Sequence, residues 1–178
     1  MRQFGLDVPK SASTLRLYSL ASLPVKVRFY KPTDLPALIA TFTASVHGLA
    51  APFYTPEQIT AWAPVAPDSE FWTNRMASLP TLVIESNGVI VGFAVYDPGG
   101  YVDFLYVHPA FVRRGIATLL YRHMESVLRA AAIARISTHA SLAARAFFER
   151  QGFKVDAEES VECRGATLQR FAMHKDLA

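Results

Sequence analysis

The residues best able to do chemistry in this 178-residue chain lie in its second half. Asp103 stands in the middle of Tyr101-Val-Asp-Phe-Leu-Tyr-Val107, an otherwise apolar run. Burial among such neighbours disfavours the carboxylate anion, which would raise its pKa toward that of a useful general base. The competing reading is a solvated carboxylate, or one that anchors an amine. His139 titrates close to neutral pH without tuning and is a second proton acceptor, or else a histidine at a helix entry. Between the two runs Val112-Arg113-Arg114-Gly115-Ile116-Ala117, a turn of small residues leading into a helical pattern.

A pyrophosphate needs several donors converging at short range. The free amides at a helix N-terminus supply them together with the positive end of the helix dipole. Gly115, Ile116, Ala117 and Thr118 would present those amides. Gly115 and Ala117 are small enough for close approach, and Arg113 and Arg114 add charge for a phosphate nearby. The same residues also make an ordinary helix start, so the turn gains meaning only from its flanks.

Those flanks are strands and helices in alternation. Val25 to Tyr30 reads as an opening strand, and Thr33 as the cap of a helix that Gly48 stops. Thr55-Pro56-Glu57-Gln58 is a capping box for a short helix through Trp62, ended by Pro64 and Pro67. Asp68 or Ser69 caps a third helix over Glu70 to Ser78. Thr81 to Glu85 and Val89 to Tyr96 form a hairpin about Asn87-Gly88. Tyr101 to Val107 is the strand before the turn. The helix after it spans about Gly115 to Ala132, with Leu119, Leu120, His123, Val127 and Leu128 at helical spacing. A fifth strand, Ala134 to Thr138, precedes a helix capped by Ser141 and stopped by Gly152, and two late strands flank Arg164-Gly165.

Composition sets the outer bounds. A 51% hydrophobic share over 178 residues fills the core of one domain, and no apolar run is long enough to span a bilayer. Cys163 is the only cysteine, so an intramolecular disulfide and a cysteine-based zinc site are both excluded and a cytoplasmic setting is expected. The net charge of +3 is spread along the chain, which argues against nucleic acid as a partner. Residues 1–24 read as an N-terminal extension whose order the sequence leaves open, and residues 25–178 as the domain.

With Tyr101-Val-Asp-Phe-Leu-Tyr-Val-His-Pro109 before the turn and Ala146-Phe-Phe-Glu-Arg-Gln-Gly-Phe153 after it, the chain resembles the GNAT superfamily of N-acetyltransferases, specifically its YafP-like members, from about Val25 to Leu177. The resemblance implies a mixed α/β (α+β) fold, a mostly antiparallel sheet flanked by helices with two splayed central strands. It implies acetyl-CoA as co-substrate and no metal. The family turn is Gln/Arg-x-x-Gly-x-Gly/Ala, so Gly115 and Ala117 match while Val112 replaces a polar residue. Leu105, Tyr106 and Val107 would lie along the pantetheine arm, with an amide near Val107 facing the thioester carbonyl and the acetyl group near Thr138. Ser141 falls where many relatives have a cofactor-binding asparagine, and capping is its other role. Phe148 falls where many relatives have a tyrosine that protonates the leaving thiolate, and a phenyl ring cannot do so.

The resemblance also places His47, Tyr54 and Trp62 on the helical segment that walls the acceptor, with core packing the competing role for Trp62. Strand alternation puts Tyr101 on the face of Asp103 and Tyr106 beneath a helix. The expected function is direct acetyl transfer from acetyl-CoA to a primary amine, expected to be a small molecule, in a ternary complex. Two alternatives stay open: a CoA-binding module without catalysis, suggested by Val112 and Phe148, and an acetyltransferase for protein N-termini or lysines. A homodimer is compatible with the late strands.

Overall fold

A computed structural model describes residues 24–177; most of the N-terminal extension lies outside them. Seven strands form one sheet in the order β1-β2-β3-β4-β5-β7-β6. They are β1 Val25–Phe29, β2 Thr81–Ser86, β3 Val89–Tyr96, β4 Tyr101–Val107, β5 Arg135–Ser141, β6 Lys154–Cys163 and β7 Ala166–Asp176. Every neighbouring pair is antiparallel except β4 and β5. The hairpin turns take the backbone their residues favour: Asn87-Gly88 and Arg164-Gly165 both have positive φ at the two central positions.

Helices cover both faces. On one face lie α1 Leu35–Ser45, α2 Pro56–Trp62 and α3 Ser69–Ser78. Leu38, Phe42, Trp72 and Met76 pack there against Val83, Phe93 and Val95. On the other face lie α4 Ile116–Ala130 and α5 Arg145–Arg150. The stripe that α4 buries is Ile116, Leu120, Tyr121, Met124 and Leu128. Leu119, His123 and Val127, expected to share it, are exposed, because the spacing alone fixes a stripe's width but not which of two adjacent rows faces the sheet. Gly92 lets this helix start close to the sheet: a Cβ there would sit 3.0 Å from the Tyr106 carbonyl oxygen and 3.1 Å from Ile116 Cγ2.

The capping chemistry explains the short helices. Thr55 and Gln58 satisfy each other's backbone amides at the start of α2, and Asp68 accepts from the Phe71 amide at the start of α3. Two expectations are corrected. Thr33 caps nothing; it sits inside a 3₁₀ turn, Pro32–Asp34, pinned where Asp34 accepts from the Lys31 amide and binds Arg28. Gly48 does not stop α1, which continues as a π-helical turn, Val46–Ala50. The glycine is there for proximity, since a Cβ would come within 2.9 Å of Pro109 Cγ.

The feature that makes the site is a failure of pairing. β4 and β5 are in register only at Tyr101 with Ser137 and Val102 with Thr138. Beyond that the two strands part. Thr138 Oγ1 donates to the Val102 carbonyl at 2.9 Å and closes the vertex.

Candidate active site

Two adjoining cavities fill the parting. The first, about 430 Å³, runs from the 3₁₀ turn Pro109–Phe111 to the N-terminus of α4 and along β4. His108 Nδ1 accepts from the Ala110 amide at 3.2 Å and shapes the entry to that turn. Arg113 (φ 61°) and Gly115 (φ 75°) are both left-handed, which turns the chain sharply before α4. The first intrahelical bond runs from the Leu119 amide to the Gly115 carbonyl, so the amides of Ile116, Ala117 and Thr118 precede the helical ladder. A Cβ on Gly115 would meet nothing within 4 Å, so the glycine is required by its dihedral and not by a crowded neighbour.

Of the residues expected along the cofactor, Leu105, Tyr106, Val107, Val112, Arg113, Gly115, Ile116, Ala117, Thr118, Ser141 and Phe148 all line this cavity. Arg114 does not; its guanidinium lies 5.5 Å from the centre of the Phe111 ring. The correction follows from the left-handed step at Arg113, which sends consecutive side chains in different directions. Arg150, at the end of α5, lines the cavity instead, together with Ser45 and Leu49 from α1 and its π-helical extension. Sequence gave no signal for these three, since they join the wall only through packing.

The second cavity, about 340 Å³, opens between β4, β5, α2 and the β6–β7 hairpin. Trp62, Leu105, Tyr106, Ser141, Ala144 and Phe148 line both cavities, so the two meet where the strands part. Ser141 closes β5, and its hydroxyl accepts from the Ala144 amide at 3.2 Å, capping the turn before α5 while also facing both cavities. Phe148 is buried in edge-on contact with Phe147 and Phe153. Thr138 lines the second cavity at its vertex.

Asp103, Tyr101 and Tyr106 all face the second cavity, against the simple alternation. Val102 pairs with Tyr96 and Phe104 with the adjacent Val95, leaving Asp103 as an unpaired extra residue, a β-bulge. Alternation cannot anticipate a bulge. Tyr106 is also packed beneath α1, edge-on to Phe42, as expected. Burial pushes its phenol well above the usual range, with the Trp62 indole opposing.

Asp103 is not the lone carboxylate that the apolar strand implied. Arg75 of α3 forks onto it, Nε to Oδ2 at 2.7 Å and an NH2 nitrogen to Oδ1 at 2.5 Å. Tyr101 donates to, or accepts from, His139 Nδ1 at 2.9 Å, and burial followed by the Asp103 charge raises its phenol. His139 Nε2 lies 3.3 Å from Glu159 Oε2, which Arg170 also holds, at 3.0 Å.

The remaining acceptor-side residues divide. Trp62 lines both cavities, and the ring of Tyr54 packs edge-on against it at 5.5 Å. The Tyr54 hydroxyl is occupied by the fold, donating to the Gln169 carbonyl at 2.6 Å and accepting from the Leu142 amide at 2.9 Å. His47 is corrected: it is exposed, bonds the Ala63 carbonyl at 2.8 Å and lines neither cavity. The π-helical turn carries it outward. Among the described residues no group of three or more His, Cys, Asp or Glu is placed to hold a metal, and no helix is long and apolar enough to cross a membrane.

The likeness to known proteins is consistent with this geometry. The family model of the acetyltransferase (GNAT) domain matches residues 50–176. The uncharacterized N-acetyltransferase YafP of Escherichia coli (strain K12) is 34% identical over 149 residues, covering 84% of this chain and 94% of YafP. A crystal structure of a GCN5-related N-acetyltransferase from Rhodopseudomonas palustris superposes with a TM-score of 0.83 at 34% identity, covering 85% of this chain and 95% of that one. The PaiA N-acetyltransferase of Thermoplasma acidophilum, solved in complex with coenzyme A, shares the fold with a TM-score of 0.71 at 19% identity, covering 86% and 99%. The chain therefore belongs to the GNAT acetyltransferase family, among its YafP-like members, and is an acyltransferase.

Proposed function

We propose that residues 25–178 form a catalytic domain that transfers the acetyl group of acetyl-CoA directly to the primary amine of a small molecule in a ternary complex. The observation that carries this reading is the meeting of two cavities at the vertex of β4 and β5. The first offers helix-start amides and Arg113 to a pyrophosphate and a narrow course along β4 to a pantetheine arm. The second would bring an amine to the same vertex. The amine nitrogen attacks the thioester carbonyl, the C–N bond forms as the C–S bond breaks, and the CoA thiolate leaves. With Phe148 unable to donate, the thiolate departs unprotonated, which its ordinary pKa near 8.5 permits. The amine proton leaves on the acceptor side, where Asp103 and His139 both line the cavity.

A small amine is favoured over a protein chain because the second cavity is walled by Tyr54, Trp62 and Tyr106 and by Val161 and Leu168 of the β6–β7 hairpin. The test is thiol release from acetyl-CoA with a panel of alkyl, arylalkyl and aromatic amines, run beside N-terminal and lysine peptides, with calorimetric CoA binding. Turnover of small amines is expected. Turnover of peptides alone would reassign the acceptor, and CoA binding without any turnover would make the protein a binding module.

A further inference from the structure

Four side chains on four adjacent strands line up on the acceptor side: Tyr101 of β4 is hydrogen-bonded to His139 of β5, Arg170 of β7 to Glu159 of β6, and His139 Nε2 lies 3.3 Å from Glu159 Oε2. We propose that Tyr101 is the catalytic residue that takes the proton from the attacking amine while passing its own to His139, with Glu159 and Arg170 as positioning residues. The proposal rests on the acetyl-transfer reading above and names its proton path.

The tautomer is argued from the neighbours. Glu159 Oε2 accepts from Arg170 and lies 3.3 Å from His139 Nε2, and a carboxylate beside Nε2 favours the neutral imidazole with its hydrogen there, which leaves Nδ1 as an acceptor. The Tyr101 hydroxyl is then the donor in the 2.9 Å contact to Nδ1, and its oxygen keeps lone pairs for a group in the cavity. As the C–N bond forms, the nitrogen's proton moves to the Tyr101 oxygen and the phenolic proton moves to Nδ1. The C–S electrons leave with the thiolate. One imidazolium forms beside Glu159 as one thiolate leaves, so the net charge is unchanged and nothing is oxidised or reduced.

A relay is required because burial raises the Tyr101 phenol, so the phenolate itself is a poor resting base. His139 keeps about a third of its side chain exposed, which lets the accepted proton pass to solvent. The charged and titratable groups facing this pair are Asp103 on β4, with Arg75 of α3 neutralising it, Glu159 on β6 and Arg170 on β7. The Asp103 oxygens are both engaged by Arg75, whereas Tyr101 is engaged on one side only.

Three readings test the relay. With an arylamine such as aniline, whose own nitrogen is already neutral, Tyr101→Phe should lower kcat/KM about a hundredfold, the scale of one general acid–base group, with unchanged calorimetric CoA affinity. The double variant Tyr101→Phe/His139→Gln should be no slower than the worse single variant. Imidazole ¹⁵N spectra of the free protein should show the Nε2–H form of His139, and Tyr101→Phe should shift its Nδ1 signal. Full activity in Tyr101→Phe, a double variant slower than either single one, or an Nδ1–H form would overturn the relay while leaving acetyl transfer intact. A wild type that releases no thiol with any amine overturns acetyl transfer, and the relay's chemical role with it.

Discussion

The cavity proposed for the cofactor and the cavity proposed for the acceptor share a wall but differ in what holds them. Around the N-terminus of α4 the geometry is set by backbone: the left-handed steps at Arg113 and Gly115 and the amides ahead of the Leu119 bond. Around the acceptor cavity it is set by side chains, each gripped by another: Asp103 by Arg75, His139 by Tyr101 and Glu159, the Tyr54 hydroxyl by two backbone groups. A backbone-built site tolerates exchange of its side chains and is ruined by a change of dihedral. A side-chain-built site behaves in the opposite way, and its specificity can change while the cofactor site stays the same.

The contrast can be broken most sharply at Gly115. Gly115→Val places a β-branched residue at φ 75°. A strain of about 2 kcal/mol should weaken CoA about 30-fold by calorimetry if the turn is to keep its shape. An affinity within a factor of two of wild type would show that the turn is not held by its backbone. On the other side, Arg75→Ala leaves Asp103, whose side chain is 9% exposed, without its partner. Because Arg75 itself is partly exposed, the expected loss of stability is about 1–2 kcal/mol, between that of surface and buried pairs, read by urea unfolding. The amine KM should rise with CoA affinity unchanged.

Tyr54→Phe removes a hydroxyl that joins the Gln169 carbonyl to the Leu142 amide. About 1 kcal/mol of stability should go with it, because the ring remains to fill the wall. A change in kcat larger than the change in stability would give that hydroxyl a chemical part. The smallest effect is expected from Arg113→Ala, about threefold in CoA affinity, since an exposed arginine contributes little beside several fixed amides. A larger loss than at Gly115→Val would invert the comparison.

The same division decides what the sequence made legible. Dipeptide turns, capping residues and the Gly115 step have local causes, so Asn87-Gly88, Thr55, Asp68 and the turn before α4 are visible in short windows of residues. The bulge at Asp103 has a non-local cause, a one-residue mismatch between β3 and β4, and alternation therefore gave no sign that Tyr106, packed beneath α1, also lines the second cavity. Arg75, Glu159 and Arg170 come to the site from three different elements, and no spacing in the chain announces them. His47 is the converse case: the resemblance implies a place on the acceptor wall, whereas the residue lies exposed in a π-helical turn and bonds the Ala63 carbonyl.

The two register pairs between β4 and β5 also have a mechanical meaning. On one side of that joint lie β1 to β4, on the other β5, β7 and β6, and the sheet is continuous across it only at Tyr101, Val102 and their partners. A molecule seated in the cavity beyond Val102 touches β4 on one flank and Ser141, Ala144 and Phe148 on the other, and so acts as a removable staple between two half-sheets. Its binding free energy is then paid into cohesion as well as occupancy: at a hundred times its dissociation constant, the ligand adds about 2.7 kcal/mol to resistance against unfolding. Amide protection should rise along the facing edges of β4 and β5 before it rises anywhere else.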